Sequence, residues 1–364
     1  MFWPIISLFL SAIFCFWLIR FTAKKKIALQ APRPRDLHTK PISRIGGVAI
    51  ILAFLATMIL IAALAQPKLS DFGFPYAILG LSIDKRLLGI FLATIFLSGV
   101  LFFDDIKGLL AGTKLITQII TAFILIAAGV GLTYLNNPFG LTIYLDQLKI
   151  PLQIGADVYH LVFWADLFFL LWVVLLTNAT NFIDGLDGLA ASLSLIAALI
   201  LFFLSLKVGQ GATALMAAVF AGAIVGFLPF NLPPAKIFLG DAGAMFLGLM
   251  LAILSVISGG KLATLLLVFG LVILDALYVI IKRIIRGRNP FTTADQTHLH
   301  HRFLAAGFTA RQTLLIITAI SLLFGLAGLL TGGQLKVILV GALAAVCLGL
   351  FVFLDLRKSP KHPY

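Results

Sequence analysis

Long apolar stretches recur along this chain, and they constrain its fold more than any other feature. An α-helix needs about 20 apolar residues to cross the hydrocarbon core of a bilayer. Hydrophobic residues make up 61% of the 364 residues and charged residues 11%, whereas soluble domains are about a quarter charged. We therefore predict an all-α polytopic membrane protein. Its eleven predicted transmembrane helices lie at 4–20, 45–65, 87–103, 114–135, 160–177, 187–206, 212–230, 241–258, 262–285, 312–331 and 335–355.

The distribution of basic residues predicts how these helices cross the membrane. If the N-terminus lies outside, the C-terminal tail is cytoplasmic. Twenty of the 27 Lys and Arg residues, including those of the tail, then fall on the cytoplasmic side. Such a bias is typical of cytoplasmic connections. Because membrane anchoring explains the net charge of +13, we infer no nucleic-acid partner. The first apolar stretch lacks a basic n-region and a cleavage site, which predicts a retained helix rather than a signal peptide.

No connection between the predicted spans is long enough to fold alone, so we treat residues 1–364 as one integral membrane domain. On the predicted outer side, residues 137–155 alternate apolar and polar side chains around a turn. This pattern predicts a small β-hairpin. Both cysteines lie inside apolar stretches, so no disulfide framework or paired-cysteine metal site is available.

All fourteen acidic residues are Asp, and half of them fall on one predicted face of the membrane. Carboxylates at the ends of transmembrane helices carry a cost in free energy and usually mark a functional site. Ordinary solvation of loops would mix Glu with Asp. We infer that carboxylates from distant parts of the chain meet at the cytoplasmic face. The seven residues are Asp36, Asp104, Asp105, Asp184, Asp187, Asp241 and Asp295.

The stretch LFFDDIKG, residues 101–108, ends the third predicted span with two adjacent carboxylates. Neighbouring residues on a helix point about 100° apart. Asp104 and Asp105 can therefore face one ligand only if the helix ends there, which Gly108 allows. In the functional interpretation they bind a metal or a phosphate. In the alternative they are only polar residues at a solvated helix end.

The stretch TNATNFIDGLDGLAA, residues 177–191, lies between two long apolar runs. Asp184 and Asp187 are three residues apart and share one face if the segment is helical, and Asn178 and Asn181 repeat that spacing. An Asp at a helix N-terminus also acts as a cap without any chemistry. Capping explains one Asp but not two Asp with two Asn, so we favour a functional site.

The stretch FNLPPAKIFLGDAGAMFLG, residues 230–248, opens the eighth span with Asp241. Asp241 is either a ligand or an N-cap. Asn231 and Phe238 are candidates for hydrogen bonding and stacking with a base, although a lipid-facing ring is the simpler interpretation of Phe238. Lys40, in RDLHTKPISRIGG at 35–47, either lines the same pocket or anchors its loop.

The stretch RNPFTTADQTHLHHRF, residues 288–303, concentrates imidazole and guanidinium groups in the longest cytoplasmic loop. A zinc site is not favoured, because the chain has no HExxH motif and no cysteine in a loop. Donors for phosphate oxygens or sugar hydroxyls fit better, and a solvated amphipathic loop is the alternative. The residues concerned are His298, His300, His301 and Arg302.

The residue types of the predicted site indicate its chemistry. Oxygen-rich ligands without thiols select Mg²⁺ or Mn²⁺ rather than zinc or copper. Phosphoryl transfer depends on positioning and on neutralised charge, with little covalent work by the protein. A site of this kind at the cytoplasmic face of a membrane suggests one lipid substrate and one soluble phosphorylated substrate.

The motifs DDIKG, NATNFIDGLDGLAA, FNLPPAKIFLGDAGA and ADQTHLHHRF, in this order on eleven spans, resemble the polyprenyl-phosphate N-acetylhexosamine-1-phosphate transferases. This resemblance covers nearly the whole chain. It implies transfer of a HexNAc-1-phosphate, above all GlcNAc-1-phosphate, from a UDP-sugar to undecaprenyl phosphate at the bacterial inner membrane. The product begins wall teichoic acid, O-antigen or a related glycan. A homodimer is compatible with the resemblance.

The resemblance also implies roles for individual carboxylates and amides. Asp241 and Asn181 would hold Mg²⁺, with Mn²⁺ as a substitute. Asp104 and Asp105 would act near the lipid phosphate, and Asp184 belongs to the same pocket. The family commonly has Ser where this chain has Ala244, so a hydroxyl contact expected of the family is missing at that position.

The remaining implied roles concern the nucleotide and the sugar. The uridine would be contacted by Asp187, Asn231, Phe238 and Lys40. The diphosphate or the sugar would be contacted by His298, His300, His301 and Arg302. We expect direct attack by the lipid phosphate on the β-phosphorus. The rival is a two-step route through an aspartyl phosphate.

Three alternatives stay open on the sequence. A phospho-MurNAc-pentapeptide transferase belongs to the same family but usually has three consecutive histidines, where this chain has His298-Leu299-His300-His301. Other UDP-HexNAc donors, such as fucosamine or quinovosamine forms, are a second alternative. An ion-coupled transporter is the third, although transporters place such carboxylates near the membrane midplane and in two related halves.

Overall fold

The computed structural model is a bundle of long helices with four two-stranded antiparallel sheets. It describes residues 2–30, 41–64, 75–78, 81–137, 139–154, 157–257, 261–285, 287 and 298–357. The helices are α1 (Trp3–Lys25), α2 (Gly47–Leu64), α3 (Lys85–Lys107), α4 (Ala111–Ala127), α5 (Phe163–Ile183), α6 (Leu189–Lys207), α7 (Gly211–Asn231), α8 (Gly240–Ile257), α9 (Leu262–Ile285), α10 (Leu299–Ala305), α11 (Ala310–Leu330) and α12 (Gly333–Leu356).

Each of the eleven predicted spans corresponds to one of these helices, and α10 is an additional short helix. Ten helices in the described part of the chain are long and apolar enough to cross a membrane. The fourth, α4, has 17 residues and ends at Ala127, before the predicted end of that span. The chain turns just after it, at Gly129 with φ +82°. The prediction of an all-α polytopic membrane protein is confirmed.

The strands occupy the connections between helices. They are β1 (Leu29–Gln30), β2 (Ile42–Ser43), β3 (Pro75–Ile78), β4 (Leu81–Asp84), β5 (Tyr134–Leu135), β6 (Ile143–Tyr144), β7 (Lys149–Ile154) and β8 (Asp157–Val162). The predicted hairpin segment, 137–155, contains β6 and β7, but β6 pairs with β5 and β7 pairs with β8. Alternating polarity marks these strands without specifying the partner of each.

Helix α8 forms the centre of the bundle. Its span is 89% buried, whereas that of α12 is 22% buried, and it packs against α2, α3, α5 and α6. The first N–H and last C=O groups of an enclosed helix need partners from neighbouring elements, because they have none within the helix. The residues that surround the start of α8 therefore decide what that end of the bundle can do.

Helices α1 and α7 approach each other through small residues. Ser7 Oγ donates a hydrogen bond to the Val219 carbonyl oxygen at 2.9 Å. A Cβ atom added at Gly226 would lie 2.2 Å from the Leu8 carbonyl oxygen. Close approach of backbones at small residues is a general way of packing helices in membranes.

Replacing Gly226 by Val should separate α1 from α7 and lower the melting temperature in detergent, since overpacking of this kind costs about 1–3 kcal/mol. Gly99→Val is the matched control, because Gly99 lies within a span and a Cβ there meets nothing within 4 Å. Thermal unfolding monitored by circular dichroism compares the two variants. Equal melting temperatures would show that the close contact contributes nothing to stability.

Candidate active site

Carboxylates from α3 and α8 meet at one end of the bundle around a lysine of α4. Lys114 Nζ lies 2.5 Å from Asp104 Oδ2 and also contacts Asp241 Oδ2. The guanidinium of Arg44 approaches from the segment before α2, with Nη2 3.1 Å from Asp241 Oδ1. Asp104 Oδ1 also accepts a hydrogen bond from the Leu109 backbone N–H at 2.6 Å. Two carboxylates and two cations thus form one continuous polar cluster.

Asp105 holds the start of α8. Its Oδ1 accepts a hydrogen bond from the Asp241 N–H at 2.8 Å, and its Oδ2 accepts one from the Ala242 N–H at 3.1 Å. The first N–H groups of a helix have no partner within the helix, so this buried carboxylate serves as their acceptor. Gly240, with φ +75°, allows the start of α8 to lie close to the segment before α2, because a Cβ at this position would lie 1.7 Å from the Arg44 carbonyl oxygen.

Asp184 follows directly after α5 and lies in the field of the other carboxylates. Burial raises its pKa well above the usual range, and the negative charge of Asp241 raises it further, while Arg44 opposes the shift. The charges of Asp105 and Asp187 raise the pKa of Asp184 as well. The pKa shift shows that this Asp shares the electrostatic environment of the α3–α8 cluster. A cation entering the site would favour the ionised form.

Asp187 and Asn231 join the α5–α6 connection to the α7–α8 loop. Asp187 Oδ2 accepts a hydrogen bond from the Ala235 N–H at 3.1 Å. Asn231 is buried; its Oδ1 accepts from the Gly188 N–H at 3.1 Å, and its Nδ2 donates to the Ile237 carbonyl at 3.0 Å. Both side chains thus fix the shape of the loops beside the carboxylates.

The histidine segment is attached to α9 by Asp275. Asp275 Oδ2 lies 2.9 Å from His298 Nδ1, and Oδ1 accepts from the Leu299 N–H at 2.9 Å. The rings of His298 and His300 are nearly parallel, with centroids 6.2 Å apart, and those of His300 and His301 are 4.1 Å apart. His300 is fully buried. A Cβ at Gly185 would lie 2.2 Å from His300 Nε2, so the histidines adjoin the α5–α6 connection.

Arg302 lies between α9 and α12. Its guanidinium carbon is 4.6 Å from the Tyr278 ring centre and 4.8 Å from the Phe351 ring centre. Its Nη1 is 3.5 Å from Asp355 Oδ2. These contacts hold α10 against the bundle by cation–π and charge interactions.

The structure places the remaining predicted residues as follows. Asn181 lies in the last turn of α5, three residues before Asp184. Phe238 is half-buried, and its backbone N–H and carbonyl bond to the segment before α2. Lys40 lies outside the described residues.

Two cations of the cluster were not singled out from the sequence. Lys114 lies at the start of a predicted span, and Arg44 precedes another, so both resemble ordinary basic anchors. The pairing of Asp275 with His298 was also missed. Only the carboxylate pair DDIKG, one short connection before Lys114, hinted that this lysine has a partner.

A divalent cation fits the donors present. In the part of the chain that the structure describes, no three His, Cys, Asp or Glu side chains are gathered closely enough to hold an ion alone. Mg²⁺ needs only one or two carboxylates when substrate phosphates and waters complete its coordination. The Lys114 ammonium, which contacts both Asp104 and Asp241, shows that these carboxylates can face one cation together.

Comparisons with known proteins identify the family of the chain. The family model described as glycosyl transferase family 4 matches residues 87–259, from α3 to α8. The decaprenyl-phosphate N-acetylglucosaminephosphotransferase of Mycobacterium leprae is 36% identical over 327 residues, covering 82% of this chain and 76% of the relative. The undecaprenyl-phosphate alpha-N-acetylglucosaminyl 1-phosphate transferase of Thermotoga maritima is 30% identical over 328 residues, covering 89% and 87%.

A muramoyl relative is similar over a shorter region. The phospho-N-acetylmuramoyl-pentapeptide-transferase of Staphylococcus aureus is 31% identical over 228 residues. The alignment covers 62% of this chain and 67% of the relative. Similarity to the relatives named for N-acetylglucosamine thus extends over more of the chain.

Proposed function

Because this chain belongs to glycosyl transferase family 4 and is a membrane phosphotransferase, we propose that it transfers GlcNAc-1-phosphate from UDP-GlcNAc to a polyprenyl phosphate. Undecaprenyl phosphate is the expected acceptor. UMP leaves, and the polyprenyl-diphosphate sugar begins a cell-envelope glycan, such as wall teichoic acid or O-antigen. The single observation that carries the proposal is the polar cluster of Asp104, Lys114 and Asp241 at one end of an apolar bundle.

Two different observations favour this function over its alternatives. The carboxylates gather where α3 ends and α8 begins, whereas an ion-coupled transporter places them near the midplane. The muramoyl relative aligns over less of the chain than the relatives named for N-acetylglucosamine. GlcNAc is therefore the donor sugar that we propose.

We propose that Mg²⁺, with Mn²⁺ as a substitute, is held by Asp241 and Asn181. When bound, the ion would neutralise negative charge on the diphosphate. Arg44 and Lys114 carry positive charge at the same place. Phosphoryl transfer depends on such neutralisation and on positioning. The chain's own cations thus complement the proposed metal.

The proposed reaction is one displacement at the β-phosphorus of the donor. An oxygen of the lipid phosphate forms the new P–O bond, and the bond from the β-phosphorus to the bridging oxygen breaks, so UMP keeps that oxygen and its electron pair. A phosphate monoester has a second pKa near 6, so no strong general base is required at neutral pH. Asp104, with both oxygens already bound by Lys114 and Leu109, orients the lipid phosphate through Lys114. Asp105 supports the reaction by holding the start of α8.

The other side chains surround the two halves of the donor in this proposal. Asp184 adjusts the charge of the pocket. The uridine lies near Asp187, Asn231, Phe238 and Lys40. The diphosphate and the sugar lie near His298, His300, His301 and Arg302. Arg302 acts by keeping α10 in place, because its described contacts are with α9 and α12.

The same proposal includes the setting of the enzyme. Its 364 residues form one integral membrane domain in the bacterial cytoplasmic membrane, with the N-terminus outside and the carboxylates at the cytoplasmic face. The basic bias of the connections on that side supports this orientation. A homodimer is a further part of the proposal, to be tested by the mass of the purified protein in detergent.

The test of the function is UMP release by the purified full chain. With UDP-GlcNAc, undecaprenyl phosphate and Mg²⁺ we expect release, and a chelator should lower the rate about 100-fold or more, since metal charge stabilisation is worth several kcal/mol. Readdition of Mg²⁺ should restore it. Turnover of UDP-MurNAc-pentapeptide but not UDP-GlcNAc would move the chain to the muramoyl branch. Absence of release with any UDP-HexNAc would refute the proposal.

The direct route has its own test. UDP-GlcNAc labelled on the β-phosphate, incubated with the enzyme without acceptor, should leave no label on the protein. Label on Asp104 that passes to undecaprenyl phosphate when the lipid is added would establish the two-step route instead.

Gly185→Ala should lower kcat/KM about 10- to 100-fold, because displacement of a binding group by about 1 Å has effects of this size. The new Cβ would lie 2.2 Å from His300 Nε2, and the buried ring must shift. Gly112→Ala is the matched control, at the start of α4, where a Cβ meets nothing within 4 Å. Unchanged UMP release in Gly185→Ala would exclude a role for the position of His300.

A further inference from the structure

Three lysines from distant parts of the chain come together at the end of the bundle opposite the carboxylates. Lys207 ends α6, Lys261 precedes α9, and Lys336 lies in the first turn of α12. The other ends of these helices adjoin the candidate active site. The proposed reaction makes no use of this lysine cluster.

Hydrogen bonds place the three lysines in one region. Lys336 Nζ donates to Thr264 Oγ1 at 2.7 Å, which joins α12 to the first turn of α9. Lys261 Nζ lies 3.5 Å from the carbonyl oxygen of Leu204, one turn before Lys207. The charge of Lys207 also acts on Lys336. The lysine cluster therefore lies between the ends of α6, α9 and α12.

Within the described residues, no carboxylate pairs with the lysine cluster. Segments 204–211, 258–264 and 331–338 contain no Asp or Glu, and none of the three lysines is in an ion pair with a carboxylate of the described residues. Burial and the charge of Lys336 lower the pKa of Lys261 to about 8. Like charges held together without a counter-ion destabilise one another, so an anion would be favoured here.

The surrounding backbone adds to this preference. Helices α9 and α12 both begin at the lysine cluster, and helix N-termini carry partial positive charge. The N-cap of α12 is Gly332, which has no side chain to bond the first N–H groups. A Cβ at Gly209, Gly211 or Gly332 would meet nothing within 4 Å. The lysine cluster is therefore open to a ligand.

We propose that Lys207, Lys261 and Lys336 bind the phosphate group of an anionic membrane lipid. The lysine cluster lies at the boundary of the apolar surface, since Leu206 and Leu335 beside it are exposed. A phosphate that reaches these lysines can therefore bring acyl chains along the same surface. Basic pockets between transmembrane helices bind lipid headgroups on the cytoplasmic side of membranes, and the same charge attraction acts on an anionic lipid of the opposite leaflet.

Thermal unfolding of the purified full chain in neutral detergent tests the proposal. Phosphatidylglycerol should raise the melting temperature by about 3 °C or more relative to phosphatidylcholine, because a ligand that binds only the folded state stabilises it. A triple variant with Lys207→Gln, Lys261→Gln and Lys336→Gln should lose this difference. Lys149→Gln is the matched control, because Lys149 already pairs with Asp146 at 3.2 Å, and should keep it.

A third arm with inorganic phosphate distinguishes the source of the phosphate group. The expected result is no shift with the free ion and a shift with the lipid. An equal shift with the free ion would overturn the lipid assignment and leave a soluble anion as ligand. No preference of the wild-type chain for phosphatidylglycerol, or an undiminished preference in the triple variant, would overturn the site itself.

Lys261→Gln alone separates ligand binding from a structural role. Without lipid, removal of one repelling charge should raise the melting temperature of the chain in neutral detergent. With phosphatidylglycerol, the same variant should show a smaller lipid-induced shift than the wild type. A lower melting temperature without lipid, with an unchanged lipid-induced shift, would show that Lys261 serves packing and not an anion.

Discussion

Asp241→Asn is expected to lower UMP release about 10²- to 10³-fold, the loss typical when a preorganised charge is removed from a reaction centre. Asp241 is the carboxylate on which Lys114 and Arg44 converge. The amide has nearly the same shape but no charge, so it binds both cations and the proposed Mg²⁺ more weakly. The start of α8 should persist, because Asp105 holds it through the backbone N–H of residue 241.

The measurement is the rate of UMP release at saturating UDP-GlcNAc and undecaprenyl phosphate, with the melting temperature recorded alongside. Asp146→Asn is the matched control: Asp146 is also paired with a lysine, Lys149, but lies in the connection between α4 and α5. We expect the control to retain its full rate. A normally folded Asp241→Asn protein with more than a tenth of the wild-type rate would contradict the proposed site.

Asp105→Ala is expected to lower both stability and activity. The carboxylate accepts hydrogen bonds from two backbone N–H groups at the start of α8. Each buried donor left without a partner lowers the free energy of unfolding by about 1–3 kcal/mol. Loss of this cap also releases Asp241 from its position beside Lys114. We expect a fall in UMP release of about 10²-fold, since displacement by about 1 Å is sufficient for such a loss.

Asp105→Asn distinguishes positioning from direct chemistry at this residue. The amide keeps one acceptor oxygen, so the melting temperature and the rate should both fall between those of the wild type and Asp105→Ala. In Asp241→Asn, by contrast, the rate should fall with a smaller loss of melting temperature than in Asp105→Ala, because Asp105 still holds the start of α8. If Asp105→Ala unfolded like the wild type and yet lost activity, Asp105 would act on the substrate directly and not through α8.

The helices of this protein could be predicted well from the sequence, because lipid allows few solutions for an apolar backbone. Each predicted span corresponds to a helix, and the largest error, the end of α4, arose where Gly129 turns the chain inside an apolar run. The pairing of the hairpin strands was harder to predict. Their alternation is visible in 137–155, but β6 and β7 pair with β5 and β8, which lie outside that stretch.

The candidate site could be predicted as a set of residues and not as an arrangement. Asp104, Asp105, Asp184 and Asp241 were recognised because carboxylates are rare and costly in a membrane chain. Lys114 and Arg44 were not, since a basic residue at a helix end is ordinary. Nor does any local pattern show that Asp105 caps α8, because the capped residue lies 136 positions along the chain.

By itself, the sequence determined that the chain is a membrane bundle and which motifs belong to a phosphotransferase, since both follow from residue types and their order. Only the tertiary structure decided that Lys114 lies between Asp104 and Asp241, that Arg302 supports α10 from α9 and α12, and that three lysines meet at the other end. The physical reason is that hydropathy sets which stretches form membrane-spanning helices, while lateral packing of the helices sets which helix ends become neighbours. That packing depends on contacts between residues a hundred or more positions apart, such as Gly226 with Leu8.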